Sequence, residues 1–373
     1  GLQTWKAEQL MKVVFEKRKN VSTAAQVLVP AISFVVSLVL SGIMLSIFGS
    51  DPFQTFAAMF KGAFGSMNGF SETLVKTIPL LLTGLGVSLA FRLKFWNIGA
   101  EGQLTLGGVA AAAVALFMKD FVLGPSLLIL AILAGCIAGA LWAGIPGLLK
   151  TRLNVDETLT TLMLNYVAIL FSEYLYYGPW RDPHGYGFPG SAPFVENAWL
   201  PRILGRAHVG LYIGLALAVI LWIVLRRTRW GFEISVIGAS PKAARYLGMS
   251  VERNIMLTVL LSGALCGLAG AGEVTGISHR LQQGLSIGYG YTAIIIAWMS
   301  QLNPLAIPFV SLVMAGLLVG GDQVQLMMGL PSAVGSVMQG LILFPMLAGS
   351  LFSEYRLKWI PADKSPSCAK GEA

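Results

Sequence analysis

The residues of this chain that could take part in chemistry are few, and they lie within long apolar stretches. Asn97, Glu101 and Gln103 open one such stretch, while Asn165 and Glu173 share a helical face in another. A carboxylate at mid-membrane depth costs about 2.5 to 3.5 kcal/mol, so these side chains must face protein or water. Because amides and carboxylates hydrogen-bond neutral polar solutes, we predict that these five residues line a solute pathway. The alternative is that Glu101 only pins a neighbouring helix.

Patterns typical of catalysis are missing or lack their structural context. The sequence has neither a GxxxxGK[ST] phosphate-binding loop nor an HExxH motif. Residues 284–288 fit GxSxG, but a nucleophile elbow needs a strand before its turn, and this sequence has a helical pattern. Residues 288–290 read Gly-Tyr-Gly once, without the Thr-Val that precedes this triplet in potassium filters. We interpret this segment as a flexible bend between helices.

Composition separates the chain from soluble proteins. Of its 373 residues, 55% are hydrophobic and 12% are charged, against roughly 25% charged in a soluble domain. Lys and Arg total 26 against 18 acidic residues, but they lie in short clusters and form no nucleic-acid face. The three cysteines are too few for a disulfide scaffold, and the three scattered histidines indicate no metal site. These features predict a membrane protein.

Hydropathy predicts the number of spans. A bilayer core of about 30 Å needs roughly 20 apolar residues in a helix. The pattern therefore predicts an all-α polytopic membrane protein with about ten transmembrane helices, the second and eighth being short. The predicted spans are 24–48, 77–91, 99–118, 125–149, 158–177, 209–225, 255–274, 291–301, 305–320 and 333–352.

The distribution of basic residues predicts the orientation. Most Lys and Arg fall in segments that lie on one side if the spans alternate, and the positive-inside rule places that side in the cytoplasm. Residues 1–23 are then a cytoplasmic amphipathic N-terminus, 24–352 the membrane domain and 353–373 a cytoplasmic tail. Both termini are expected on the cytoplasmic side.

The longest inner segment, 226–254, holds a short helix. Ser240 suits an N-cap, Pro241 the first helical position and Gly248 a C-terminal stop. A helix of about two turns is marginal in water, so we expect it to need a docking surface. The alternative is that Lys242 and Arg245 anchor it to lipid headgroups.

Three segments together resemble the ABC importer permeases of the sugar, branched-chain amino acid and nucleoside group. They are 97–103 (Asn-Ile-Gly-Ala-Glu-Gly-Gln), 157–165 (Glu-Thr-Leu-Thr-Thr-Leu-Met-Leu-Asn) and the short helix at 237–249. The similarity runs from about residue 25 to 350, and the first two segments are most similar to nucleoside-type members linked to a basic membrane lipoprotein. In relatives, the helix at 237–249 is the coupling helix.

The resemblance implies a function and a set of partners. The chain would be the membrane-spanning permease subunit of an ATP-driven importer, moving a small polar solute, with a purine nucleoside favoured, inward by alternating access. Its partners would be ABC ATPase subunits, a second permease in a homodimer or heterodimer, and an extracellular or periplasmic solute-binding protein that meets the region 180–188. The resemblance also implies an inverted repeat and a location in the bacterial cytoplasmic (inner) membrane.

The resemblance assigns separate roles to the permease and the ATPase. The permease is not an enzyme and binds no cofactor, because ATP and magnesium belong to the ATPase subunits. The residues that would seat in the ATPase are Gly238, Ala239, Ser240, Pro241, Lys242, Ala243, Ala244, Arg245, Tyr246, Leu247, Gly248 and Met249.

Two questions stay open at this stage. The solute could also be a ribose-like sugar, a nucleobase or another small polar molecule. The chain could instead be a proton-coupled secondary transporter, with Glu101 or Glu173 as the proton carrier.

Overall fold

Long apolar runs become helices because a helix satisfies every backbone hydrogen bond within one segment. The computed structural model describes residues 11–17, 23–122, 124–185, 187–285, 287–328, 337–338, 340–341, 344–345, 348–349 and 355–361. Within these ranges the helices are α1 Thr23–Ile47, α2 Pro52–Phe64, α3 Met67–Arg92, α4 Ala100–Phe117, α5 Ser126–Leu153, α6 Glu157–Tyr177, α7 Gly210–Arg227, α8 Arg229–Ala239, α9 Pro241–Tyr246, α10 Val251–Glu273, α11 Tyr289–Met299 and α12 Ile307–Met328. A π-helical turn, Val274–Ser278, extends α10.

The mostly helical, membrane-spanning class is confirmed. In the described part, seven helices are long and apolar enough to cross a membrane, and an eighth span results if Ile32–Ile47 and Pro52–Phe64 count as one broken span. The predicted count of ten is not confirmed. Helix α11 has 11 residues, which at about 1.5 Å per residue reach roughly half of a bilayer core. Most of the predicted last span, 333–352, and most of the predicted tail lie outside the described residues.

Helix α3 starts ten residues before the predicted start of the second span at residue 77. Ser66 caps it by accepting a hydrogen bond from the backbone N–H of Gly69 (3.0 Å). The hydroxyls of Thr73 and Thr77 donate to the carbonyls of Gly69 (2.9 Å) and Thr73 (2.7 Å). These polar residues lowered the hydropathy of the segment, but they fit the helix because their hydroxyls are satisfied by its own backbone.

Helices α4, α5 and α10 pack backbone against backbone. A Cβ atom on Gly107 would overlap the backbone of Gly267, and one on Gly139 would overlap the carbonyl of Gly263. Small residues permit this close approach between membrane helices. Helix α3 lies against α10, α11 and α12, and its residues from Thr77 to Phe91 are all buried.

Two short strand pairs accompany the helices and were not predicted. The chain divides into two units, residues 1–53 with 337–373, and residues 54–336. In the first unit, β1 (Met11–Lys17) pairs antiparallel with β4 (Tyr355–Pro361). In the second unit, β2 (Arg202–Leu204) and β3 (Ala207–His208) form a small hairpin. The candidate site lies entirely within the second unit.

Candidate functional site

The Glu101 carboxylate joins the first turn of α4 to the start of α11. It is fully buried and accepts hydrogen bonds from the backbone N–H groups of Gly288 (2.9 Å) and Gly290 (2.6 Å). Helix N-termini carry unpaired N–H groups and partial positive charge, so they stabilise a carboxylate. This arrangement supplies the hydrogen bonds that a buried charge requires, and it matches the alternative in which Glu101 pins a neighbouring helix.

Asn97 and Gln103 form a buried pair beside Glu101. The Asn97 side chain donates to the Gln103 side-chain oxygen (3.1 Å) and to the Ser262 hydroxyl (3.0 Å). Gln103 donates in return to the Asn97 side-chain oxygen (2.9 Å), and Ser262 donates to the carbonyl of Gly86 (2.7 Å). The pair therefore ties the start of α4 to α10 and α3.

Asn165 ties α6 to the same region. Its side-chain oxygen accepts from the backbone N–H of Gly102 (2.8 Å), and its amide donates to the carbonyl of Ile98 (2.9 Å) and the hydroxyl of Tyr291 (3.3 Å). Four of the five predicted pathway residues thus lie around the start of α4, buried and bonded to protein atoms. Here they position helices, and direct contact of these four with a solute stays a prediction.

Glu173 is the predicted pathway residue that faces an open space. It lines a cavity of about 240 Å³ together with Thr105, Ser172 and Tyr176. The opposite wall is the segment after α10, residues 282–285, which also borders two neighbouring cavities of about 330 and 290 Å³. Gln282 and Gln283 line all three cavities.

Gln282 and Gln283 were missed in the sequence. The available signal was a pair of adjacent amides in a short connection between two apolar helices, directly before the glycines at 284 and 288. Such a pair has hydrogen-bonding groups that lipid cannot satisfy, so it must face protein, solute or water.

The segment from His279 to Gly288 is a bend between helices. The sequence placed a bend at 288–290, but only Gly288 belongs to it, because Tyr289 and Gly290 are the first residues of α11. His279, Gly284 and Gly288 have φ angles of 50°, 95° and 92°, in the left-handed region that favours glycine. The bend follows a π-helical turn instead of a strand, so it lacks the support of a nucleophile elbow. Ser286, the residue that would be the nucleophile, lies outside the described residues.

The predicted coupling helix is confirmed as a helix. Ser240 caps α9 by accepting from the backbone N–H of Ala243 (3.3 Å), Pro241 occupies the first turn, and Gly248 ends the segment at a φ of 75°. Tyr246 is 93% exposed and Leu247 67% exposed. Two large side chains are thus exposed at the C-terminal end of α9.

Helix α8, which precedes α9, was not predicted, and it connects α9 to the longer helices. A Cβ on Gly238 would overlap the carbonyl of Arg92 at the end of α3. The Asn254 amide in α10 donates to the carboxylate of Glu233 in α8 (2.8 Å). The α8–α9 segment is therefore packed directly onto two membrane helices.

Two of the three histidines lie near each other beside the bend. His208 is 1% exposed, and its Nδ1 accepts from the backbone N–H of Gly210 (3.1 Å). Burial, together with the nearby His279, lowers the pKa of His208 to about 4. His279 stacks on Trp199 with 4.1 Å between ring centroids. Over the described ranges, no group of three or more metal-ligating side chains is found.

An apolar bundle whose interrupted helices border polar cavities is the architecture of a membrane transport protein. The chain belongs to the family described as "Branched-chain amino acid transport system / permease component", which matches residues 69–347. It is thus a membrane-embedded permease subunit of an ABC importer and is not itself an enzyme, because in this class ATP is hydrolysed by separate ATPase subunits. Family membership therefore favours the ATP-driven class over the proton-coupled alternative.

The relatives that match most of this chain are named for different solutes. It is 35% identical to the glucose ABC transporter permease protein of Haloferax volcanii, covering 88% of this chain and 89% of that one. It is 32% identical to the guanosine ABC transporter permease protein of Bacillus subtilis, covering 87% and 93%. It is 29% identical to a nucleoside ABC transporter permease protein of Lactococcus lactis, covering 92% and 97%.

Proposed function

We propose that this permease imports a nucleoside, with purine nucleosides favoured, by ATP-driven alternating access. Two relatives with nucleoside solutes, at 32% and 29% identity, match the chain over most of its length. The relative with glucose as its solute, at 35% identity, makes a hexose the rival solute. In this proposal the choice of a nucleoside over a hexose rests on the side chains that line the cavity at Glu173.

The cavity at Glu173 carries the proposal because it combines hydrogen-bonding groups with an aromatic ring. Glu173, Gln282 and Gln283 can bond the hydroxyls of a ribose and the edge of a base. The Tyr176 ring offers an apolar surface on which a purine base can stack. A neutral solute with both a hydroxyl-bearing part and a flat aromatic part would use both kinds of lining residue.

The coupling helix supplies the mechanical link in this proposal. Tyr246 and Leu247 would enter a groove of the ATPase, as the resemblance of 237–249 implies. When ATP draws the ATPase subunits together, the pull on α9 would reach α3 and α10 through the contacts of Gly238 and Asn254. ATP can shift the permease between two states only through its different affinity for them.

The proposed orientation follows from the same link. The α8–α9 segment and both termini lie on the cytoplasmic side, where the basic residues are concentrated. The bend at 279–288 then faces the solute-binding protein. A second permease, identical or related, completes the transporter.

Competition between solutes tests the proposal. The permease is reconstituted in proteoliposomes with its ATPase and binding protein, and uptake of labelled guanosine is measured with excess unlabelled glucose or adenosine. We expect ATP-dependent guanosine uptake that adenosine reduces and glucose leaves unchanged. Uptake of labelled glucose with no uptake of either nucleoside would overturn the proposal.

A further inference from the structure

The largest of the three cavities next to the bend has charged walls. Its volume is about 330 Å³, and its lining includes Arg206, Glu273, Arg280 and Gln282. It shares residues 282–285 with the cavity at Glu173. A solute could therefore pass from one cavity to the other along a single short segment.

Glu273 has unused hydrogen-bonding capacity in this cavity. Its Oε2 atom is buried and has no hydrogen-bond partner among the described residues. The cations close enough to influence Glu273 are Lys76 and Arg206. Neither forms an ion pair with Glu273 within the described ranges, and Arg206 instead pairs with Glu72 at 2.8 Å. Leaving a buried carboxylate oxygen without a donor is costly, so a ligand that brings a hydroxyl or N–H group would be stabilised there.

Arg280 contributes hydrogen-bond donors to the same cavity, in which Glu273 contributes an acceptor. Its stem packs on Gly190, where an added Cβ would lie 3.7 Å from the Arg280 Cδ. No ion pair or hydrogen bond of its guanidinium is formed in the described part of the chain, although the side chain borders two cavities. A guanidinium presents several N–H donors in a planar fork, which matches two adjacent acceptors on one ligand.

We propose that this cavity is a second solute site, with a preference for 6-oxopurine nucleosides over adenosine, in which Glu273 holds the ribose and Arg280 holds the base. The inference rests on the proposed function and extends it to a new site. Glu273 accepts from the ribose hydroxyls, and Arg280 donates to the adjacent O6 and N7 acceptors of the base, the pair that arginine reads in guanine. Adenosine has a donor amino group at the O6 position and therefore fits Arg280 less well.

The proposed site also implies an order in which the solute occupies the two cavities. The solute leaves the binding protein, is held between Glu273 and Arg280, and moves past Gln282 and Gln283 into the cavity at Glu173. Gln282 and Gln283 line both cavities. They can therefore keep one hydrogen bond to the solute while its other hydrogen bonds change partners.

The test uses the complete transporter in proteoliposomes with a saturating amount of solute-loaded binding protein. The variants are Arg280→Lys, which keeps the charge and loses the fork, and Glu273→Gln. Glu196→Gln is the matched control, because Glu196 is exposed and outside the cavity lining. Initial rates of guanosine and adenosine uptake are compared for each protein.

We expect Arg280→Lys to slow guanosine uptake by about tenfold and adenosine uptake by much less, since the bidentate contact is lost only for guanosine. Glu273→Gln should slow both nucleosides to a similar extent, and the control should match the parent. Equal losses for both nucleosides in Arg280→Lys, or parental rates in both variants, would overturn the inference.

A second measurement distinguishes loss of the site from misfolding of a variant. Binding of labelled guanosine to the purified permease–ATPase complex is measured at equilibrium, alongside its melting temperature. A reduced amount of bound guanosine at a parental melting temperature supports the site, whereas parental binding in both variants overturns it. Failure of the parent itself to take up guanosine would contradict the proposed function, so the two failures are distinguishable.

Discussion

Glu101 accepts a 2.6 Å hydrogen bond from the backbone N–H of Gly290, so the first turn of α4 is fastened to the first turn of α11. The same carboxylate holds Gly288, the last residue of the bend that borders the cavities. Glu101 is therefore a positioning residue. It holds the end of the bend whose residues 282–285 line the cavities.

Replacing Glu101 by Gln should destabilise this junction. The amide keeps one acceptor but turns N–H donors toward backbone N–H groups, so at least one charge-assisted hydrogen bond is lost, worth about 1.5 to 3 kcal/mol. We expect a lower melting temperature in detergent and slower ATP-dependent uptake. Glu196→Gln, an exposed site, serves as the control and should melt like the parent. An unchanged melting temperature for Glu101→Gln would contradict the positioning role.

Gly267→Ala should disturb the contact of α10 with α5. The added Cβ would overlap the carbonyl of Gly135, and overpacking of this kind costs about 1 to 3 kcal/mol. The matched control is Gly144→Ala on α5, where the Cβ would meet only the flexible end of Leu260 at 3.1 Å. We expect the first variant to lose the monodisperse peak in gel filtration after mild heating and the second to keep it. Equal behaviour of the two would argue against backbone packing as the constraint.

Removing the exposed side chains at the end of α9, the proposed coupling helix, should abolish ATPase docking without harming the fold. Tyr246 and Leu247 are largely exposed, so the double alanine variant removes little buried surface from the permease. We expect its melting temperature to stay at the parental value while the ATPase no longer co-purifies. Tyr212→Ala, on α7 and 59% exposed, is the control and should retain the ATPase. Normal recovery of ATPase with the double variant would refute the docking role.

His208 makes the segment around β3 sensitive to acid. Its pKa is about 4 when folded and near 6.5 when unfolded, so the unfolded segment binds more protons between these values. The stabilisation from neutral His208 is present above pH 6.5 and is lost as the pH falls toward 4, up to about 3 kcal/mol. Hydrogen exchange of residues 199–213 should therefore show faster local opening at pH 5 than at pH 7, after correction for intrinsic rates. The same pH dependence in His208→Gln would point to another group.

Local features of this molecule could be predicted from the sequence. The caps of α9 were correct because Ser240, Pro241 and Gly248 act through their own neighbouring backbone. The ends of α4 and α6 fell within one residue of the prediction, since Gly99 precedes α4 and Asp156 and Gly178 flank α6. Signals of this kind extend over one helical turn.

Long-range pairings could not be predicted. The bond from Gly290 to Glu101 spans 189 residues, and no periodicity in either segment indicates it. Both segments were singled out in the sequence, but Glu101 was predicted to line a solute pathway and residues 288–290 were interpreted as a bend. Hydropathy also placed the start of α3 too late. A hydropathy scale counts threonine as polar even at Thr73 and Thr77, where the hydroxyl is hydrogen-bonded to a carbonyl of the same helix.

The energy source of transport tests the central claim most directly. Proteoliposomes are prepared with the permease and binding protein, with or without the ATPase, and guanosine accumulation is followed with Mg-ATP and a protonophore. We predict accumulation only when the ATPase and ATP are both present, at a rate that the protonophore leaves unchanged. Accumulation without the ATPase, or its collapse on adding the protonophore, would contradict the account.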